Sequence, residues 1–151
     1  MLQFERDRPR ILVVDDDPMV LEIVTTRLSL AGCTVYGARD GLAAIERIRE
    51  VRPVAMVLDI NMPRLDGFGV LKHMRITGST RSIATLVLTA RNRPEDVKLA
   101  ISLGARDYLA KPFKDEQLLI RIARLLRKRE PPPAASTGHQ DPKDARQTVD
   151  L

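Results

Sequence analysis

The sequence predicts a doubly wound α/β domain, a parallel five-stranded sheet with helices on both faces. Three observations predict it. Short runs of aliphatic and β-branched residues alternate five times with segments of helical periodicity. Three of those runs are almost continuously apolar, the pattern of strands covered on both sides. The length of 151 residues suits one core and a tail.

The strand runs are Ile11-Leu12-Val13-Val14, Thr34-Val35-Tyr36, Val54-Ala55-Met56-Val57-Leu58, Thr85-Leu86-Val87-Leu88 and Tyr108-Leu109-Ala110. The first helix begins near Pro18, a favoured first-turn residue, and carries Val20, Val24 and Leu28. The second follows Asp40, a suitable N-cap, with Leu42, Ile45 and Ile48 on its apolar side. A third follows Asp66-Gly67, where turn and cap chemistry is the plainest role for the pair. The fourth starts at Pro94 with Glu95 and Asp96 in its first turn and stops near Gly104. The fifth, from about Asp115 to Arg129, sets Leu118, Ile122, Leu125 and Leu126 against Gln117, Arg121, Arg124 and Lys128. Right-handed crossovers leave few topologies for five such units, and the flavodoxin-like order 2-1-3-4-5 is the natural one.

Residues 10–129 therefore form the domain, and residues 1–9 form an N-terminal extension. Pro131-Pro132-Pro133 ends the last helix. The stretch 130–151 has Val149 and Leu151 as its only large aliphatics, so it is expected to be a disordered, Pro-rich polar tail. Residues 1–129 hold 23 Lys/Arg against 16 Asp/Glu, a balance of +7, while 130–151 hold 2 against 4, a balance of −2. A basic body steers anionic partners toward it without naming one. The single Cys33 reads as a small buried hydrophobe in a reducing compartment. No apolar run approaches membrane-spanning length and the charged N-terminus lacks a signal core, so a cytoplasmic protein is expected.

In a doubly wound sheet the ligand crevice lies outside the carboxyl ends of the strands. There the first strand runs into Asp15-Asp16-Asp17, the third into Asp59, the fourth into Thr89-Ala90 and the fifth into Lys111-Pro112-Phe113. Clustered carboxylates repel unless a cation joins them. An all-oxygen set without His or Cys selects a hard ion, and Mg²⁺ is the usual one when phosphate is the substrate. A carboxylate can attack phosphorus to give an aspartyl phosphate, with a lysine and a threonine hydroxyl contacting the phosphoryl oxygens. A purely structural reading would have to explain three consecutive aspartates at a strand end.

Ile11-Leu12-Val13-Val14-Asp15-Asp16-Asp17-Pro18, Asp59-Ile60-Asn61-Met62-Pro63-Arg64-Leu65-Asp66-Gly67, Leu88-Thr89-Ala90 and Asp107-Tyr108-Leu109-Ala110-Lys111-Pro112-Phe113 resemble the four signature blocks of response regulator receiver domains, in order and spacing. The resemblance covers roughly residues 10–128 and no signature residue is missing. It implies that Asp59 is the phosphoacceptor. It also implies that Asp16 binds Mg²⁺ directly, that Asp15 holds it partly through water, and that the backbone carbonyl of Asn61 is a further ligand. Thr89 and Lys111 would contact the phosphoryl group, Lys111-Pro112 would be a cis peptide, and Tyr108 would be the switch aromatic that follows Thr89. Asn61 and Arg91 fall at variable positions that tune phosphoryl lifetime in the family. Asp17 reads as a solvated neighbour, and His73, with no second His or Cys near it, as a surface residue.

The function this implies is that of a two-component phosphoprotein, not an enzyme acting on an independent substrate. A histidine kinase or phosphotransfer protein would donate to Asp59, and the face of helix 4, strand 5 and helix 5 would change shape and engage a downstream protein target. A stand-alone regulator of the chemotaxis-regulator kind, working by protein contact, is the favoured form. The alternative is the receiver portion of a DNA-binding transcriptional regulator, with 131–151 as linker. Direct contact with nucleic acid is not expected, since no aromatic or recognition helix accompanies the charge. Arg121, Arg124, Arg127, Lys128 and Arg129 form a basic stripe whose plainest role is a solvated face. It would also suit an acidic partner or a cyclic dinucleotide. A homodimer through the same face is a further expectation, with these arginines pairing Asp96, Asp107 or Glu116 of a second copy.

Overall fold

Branched and aliphatic runs build the strands β1 (Arg10–Val14), β2 (Thr34–Ala38), β3 (Ala55–Leu58), β4 (Ala84–Thr89) and β5 (Asp107–Ala110). They alternate with helices α1 (Pro18–Leu30), α2 (Gly41–Val51), α3 (Gly67–Thr77), α4 (Pro94–Ser102) and α5 (Asp115–Lys128). The computed structural model describes Phe4 and residues 8–128. All neighbouring strands pair in parallel and the sheet order is β2-β1-β3-β4-β5, the order the sequence predicts. The expected tail 130–151 lies outside the described residues, as does most of the 1–9 extension. Phe4 packs on the core beneath α1, its amide donating to the Ala31 carbonyl at 2.6 Å.

Alternation along β1 shows why its run is apolar throughout. Ile11 and Val13 face one layer with Val24 and Leu28 of α1 and Leu118 and Ile122 of α5. Leu12 and Val14 face the other with Ala44 and Ile48 of α2, Val70, Leu71 and Met74 of α3, and Ala100 of α4. The central strands β3 and β4 are buried at every position. Each fully buried aliphatic side chain contributes about 1.5–3 kcal/mol, so the sheet is held from both sides.

The register aligns the chemistry. Val14 pairs with Leu58, so the next residues, Asp15 and Asp59, emerge level from adjacent strands. Thr89 pairs with Ala110, which places Thr89 and Lys111 at the same edge. Three aspartates then start the helices there: Asp17, Asp40 and Asp66 accept the amides of Met19, Ala43 and Gly69 and cap α1, α2 and α3. Asp17 is thus a cap as well as a solvated neighbour.

Two details depart from the sequence reading. Of the residues read as the apolar side of α2, Ile48 is buried and Ile45 packs on the core, but Leu42 is exposed, and Gly41 and Ala44 face the core in its place. Gly41 sets that rotation, because a Cβ there would lie 2.1 Å from the Leu65 carbonyl oxygen. A single 3-10 turn at Ser79–Arg81, after Gly78 at φ 85°, was not anticipated. Gly104, expected as a helix stop, sits just beyond α4 at φ 114°.

Gly67 brings α3 against the backbone that follows β3. A Cβ at this position would sit 2.4 Å from the Asp59 carbonyl oxygen and 2.8 Å from Ile60 Cα. Gly67→Ala should therefore cost about 1–3 kcal/mol in urea unfolding, as overpacking against backbone does. Gly37→Ala meets only the flexible Leu21 side chain at 3.4 Å and should stay within about 0.5 kcal/mol of wild type.

Candidate functional site

Three carboxylates meet where β1 and β3 end. Asp15, Asp16 and Asp59 each offer an oxygen within 4.8 Å of the others. Asp15 and Asp59 are buried, at 2 % and 6 % exposure, while Asp16 faces solvent. The Asp15 carboxylate accepts the Asp17 amide at 2.9 Å, and Asp59 accepts the Ile60 amide at 2.6 Å, which orients both. Three carboxylate oxygens with one open side form a hard donor set, fit for a small divalent cation such as Mg²⁺. Asn61 is exposed in the β3–α3 loop, two residues after Asp59.

Lys111 reaches this cluster from the end of β5. Its Nζ donates to Asp15 Oδ2 at 2.8 Å and to Asp59 Oδ2 at 3.2 Å. The Lys111-Pro112 peptide is cis, as expected. Burial works against the ammonium, but the Asp15 hydrogen bond and the charges of Asp59 and Asp15 outweigh it, so the Lys111 pKa lies above its ordinary value. Burial also raises the Asp15 carboxyl, against the pull of the Lys111 and Asp17 hydrogen bonds. One ammonium thus spans two carboxylates that water no longer screens.

Thr89, buried at the end of β4, accepts the Arg91 amide on its hydroxyl at 3.2 Å. Tyr108 is half-buried in β5 and its hydroxyl donates to the Arg91 carbonyl. Burial, then the nearby Asp96 charge, raises the Tyr108 pKa, so the phenol stays protonated and able to donate. The Arg91 side chain crosses the loops: Nη1 donates to Asn61 Oδ1 at 3.2 Å, Nε pairs with Asp96 at 3.1 Å, and the guanidinium lies 5.3 Å over the Phe68 ring. Sequence spacing placed Arg91 beside the site but gave no sign that it joins these residues.

The basic stripe of α5 is only partly a free surface. Arg121 donates to Asp107 Oδ1 at 2.7 Å and to the Tyr108 carbonyl at 3.2 Å, which ties α5 to β5. Arg124 and Arg127 are exposed. The side chain of Lys128 lies outside the described residues, as does Arg129. Asp96 and Asp107, expected to meet arginines of a second copy, are already paired within the chain, and Asp96 is buried. His73 is exposed, as expected. Burial pushes the Cys33 thiol up to about 12, which leaves it protonated and inert.

Because folded Asp15 binds its proton more tightly than the unfolded chain, it supports stability below its ordinary value of 3.8 and loses that support as pH rises through its raised value. Asp15→Asn has no charge to desolvate. In chelator at neutral pH its urea midpoint should exceed that of wild type, and the gap should close as pH falls toward 3.8. A lower midpoint at neutral pH would contradict this balance.

Residues 11–124 match the family model described as the response regulator receiver domain. The chain is 47% identical over 128 residues to the response regulator MprA of Mycobacterium leprae, covering 85% of this chain and 55% of that protein. The MprA protein of Mycobacterium ulcerans is 50% identical over 119 residues, covering 79% of this chain and 50% of that one. The chain thus spans about half the length of these relatives, whose remaining length has no counterpart in the match. The expectation against nucleic acid accordingly gains no support from them. Among solved structures, the Francisella response regulator 1452 receiver domain aligns with a TM-score of 0.76 at 30% identity, over 81% of this chain and 99% of that one. The Vibrio cholerae chemotaxis protein CheY4 aligns with a TM-score of 0.73 at 32% identity, over 78% and 98%. Family model, relatives and fold agree, and this chain belongs to the response regulator receiver domain family.

Proposed function

We propose that Asp59 accepts a phosphoryl group from a histidine kinase or phosphotransfer protein, and that the domain signals through the resulting change in its surface. The observation that carries this reading is Lys111 held between Asp15 and Asp59, with Asp16 completing the oxygen cluster. A buried aspartate with an ammonium 3.2 Å away and a neighbouring divalent-cation site can receive a phosphoryl group without building up charge.

In the transfer, an Asp59 oxygen forms a bond to phosphorus as the phosphorus–nitrogen bond of a phosphohistidine breaks. The imidazole leaves with the electron pair and takes a proton. Mg²⁺ at Asp15, Asp16, Asp59 and the Asn61 carbonyl would neutralise charge on the phosphoryl oxygens. Lys111 exchanges its Asp59 contact for a phosphoryl oxygen, and the Thr89 hydroxyl donates to another. Hydrolysis adds water at phosphorus, releases phosphate and restores the carboxylate. The domain transforms no other substrate.

Thr89 and Tyr108 then carry the change to α4, β5 and α5, where a downstream protein is engaged. A second reading of the output is favoured by the length of the curated relatives, about twice the matched region: the receiver portion of a longer regulator, in which the same switch controls an attached DNA-binding domain. Recognition of a cyclic dinucleotide through α5 is less favoured, because Arg121 is committed to Asp107 and the Tyr108 carbonyl. Among the described residues no helix is long and apolar enough to cross a membrane.

Incubation with acetyl phosphate and Mg²⁺ should add one phosphoryl group, found by intact mass and located on Asp59 by borohydride trapping. Asp59→Asn should take up none, and chelator should lower the rate at least about tenfold, as loss of charge stabilisation at a transferring phosphoryl group does. Labelling that persists at full rate in Asp59→Asn would overturn the reading.

A further inference from the structure

We propose that Arg91 is a positioning residue that couples the phosphorylation crevice to helix α4, through its pairing with the buried Asp96. The inference rests on the phosphoacceptor reading of Asp59 and names the physical link by which that site reaches the surface.

Helix α4 is anchored differently from the helices before it. Side chains of Asp17, Asp40 and Asp66 cap α1, α2 and α3, but Arg93 at the start of α4 makes no side-chain cap. Within α4 only Asp96 and Ala100 are buried, while Leu99 and Ile101 stay 40 % and 46 % exposed. Asp96 is therefore half of the helix's buried anchorage, and it is a carboxylate. A carboxylate removed from water is costly unless a cation meets it, so its position follows that cation. The cation is Arg91, with Nε 3.1 Å from Oδ1. The other oxygen, Oδ2, has no hydrogen-bond partner, and Arg93 Nε lies 3.7 Å from it.

The same Arg91 is tied to the switch residues. Its amide donates to the Thr89 hydroxyl and its carbonyl accepts from the Tyr108 hydroxyl. Its guanidinium also bonds Asn61, two residues after Asp59, and stacks on Phe68 of α3. When Thr89 turns its hydroxyl toward a phosphoryl oxygen, the bond from the Arg91 amide is given up and the loop backbone shifts. The guanidinium then moves Asp96, and with it the first turn of α4. The coupling needs a charge pair with fixed geometry, which a lysine reproduces only in part.

Hydrogen exchange followed by mass spectrometry on the full chain, with and without beryllofluoride and Mg²⁺, tests this. In wild type, both the segment after Asp59 and the first turn of α4 should change exchange rate by at least about fivefold. In Asp96→Asn and in Arg91→Ala the segment after Asp59 should still respond, while the α4 response falls below about twofold. Arg91→Lys should restore part of it. If Asp96→Asn fails to fold, Arg91→Ala decides alone, since its side chain is 38% exposed and open to substitution. An undiminished α4 response in Arg91→Ala overturns the proposal. So does a wild-type chain whose crevice responds while α4 does not. A wild-type chain with no response at either place refutes the phosphoacceptor reading, and the coupling falls with it.

Discussion

The ammonium of Lys111 between Asp15 and Asp59 is the interaction on which the rest of the crevice depends. Two buried carboxylates on adjacent strands are an arrangement that folding alone would not choose, since each loses hydration and repels the other. Lys111 offsets that cost from the end of β5, across the sheet, and burial still leaves Asp15 harder to ionise than an exposed aspartate. The site is thus held short of electrostatic satisfaction. Its oxygen donors suit further positive charge from a cation, and in the proposed function a phosphoryl group would replace Asp59 as the partner of Lys111.

The parallel sheet makes this affordable. Every strand ends at one edge, so residues far apart in the chain arrive together without any irregular backbone in the core. The register sets Asp15 beside Asp59 and Thr89 beside Lys111, and apolar layers on both faces keep that register from slipping. The sheet positions the charges, and above it Arg91 joins Asn61, Asp96 and Phe68 across the loops. The two parts are held differently: β3 and β4 are buried throughout, while α4 buries only Ala100 and Asp96, the latter paired with Arg91.

Local chemistry made most of the fold legible. Continuous aliphatic runs announced β1, β3 and β4, and aspartates before helical segments announced the caps of α2 and α3, because both depend on near neighbours in sequence. The rotation of α2 was hidden because it is set by Gly41 against the Leu65 backbone, a contact of the helix start with the β3–α3 loop. Arg121 looked like an outward charge because periodicity gives the face of a helix but not the neighbour it meets, here Asp107 on β5. At the site, the acids, Thr89 and Lys111 could be found as the residues that follow strands. The role of Arg91 could not, since Asn61, Phe68, Asp96 and Tyr108 come to it from four separate elements or loops.

The most direct test of the account is a crystal structure of the chain with Mg²⁺ and beryllofluoride. The fluoride adduct should lie on an Asp59 oxygen, with Mg²⁺ among Asp15, Asp16 and Asp59 and Lys111 turned from Asp59 to a fluoride. An Asp59 left bare, with Lys111 still joined to both aspartates under saturating ligand, would contradict it.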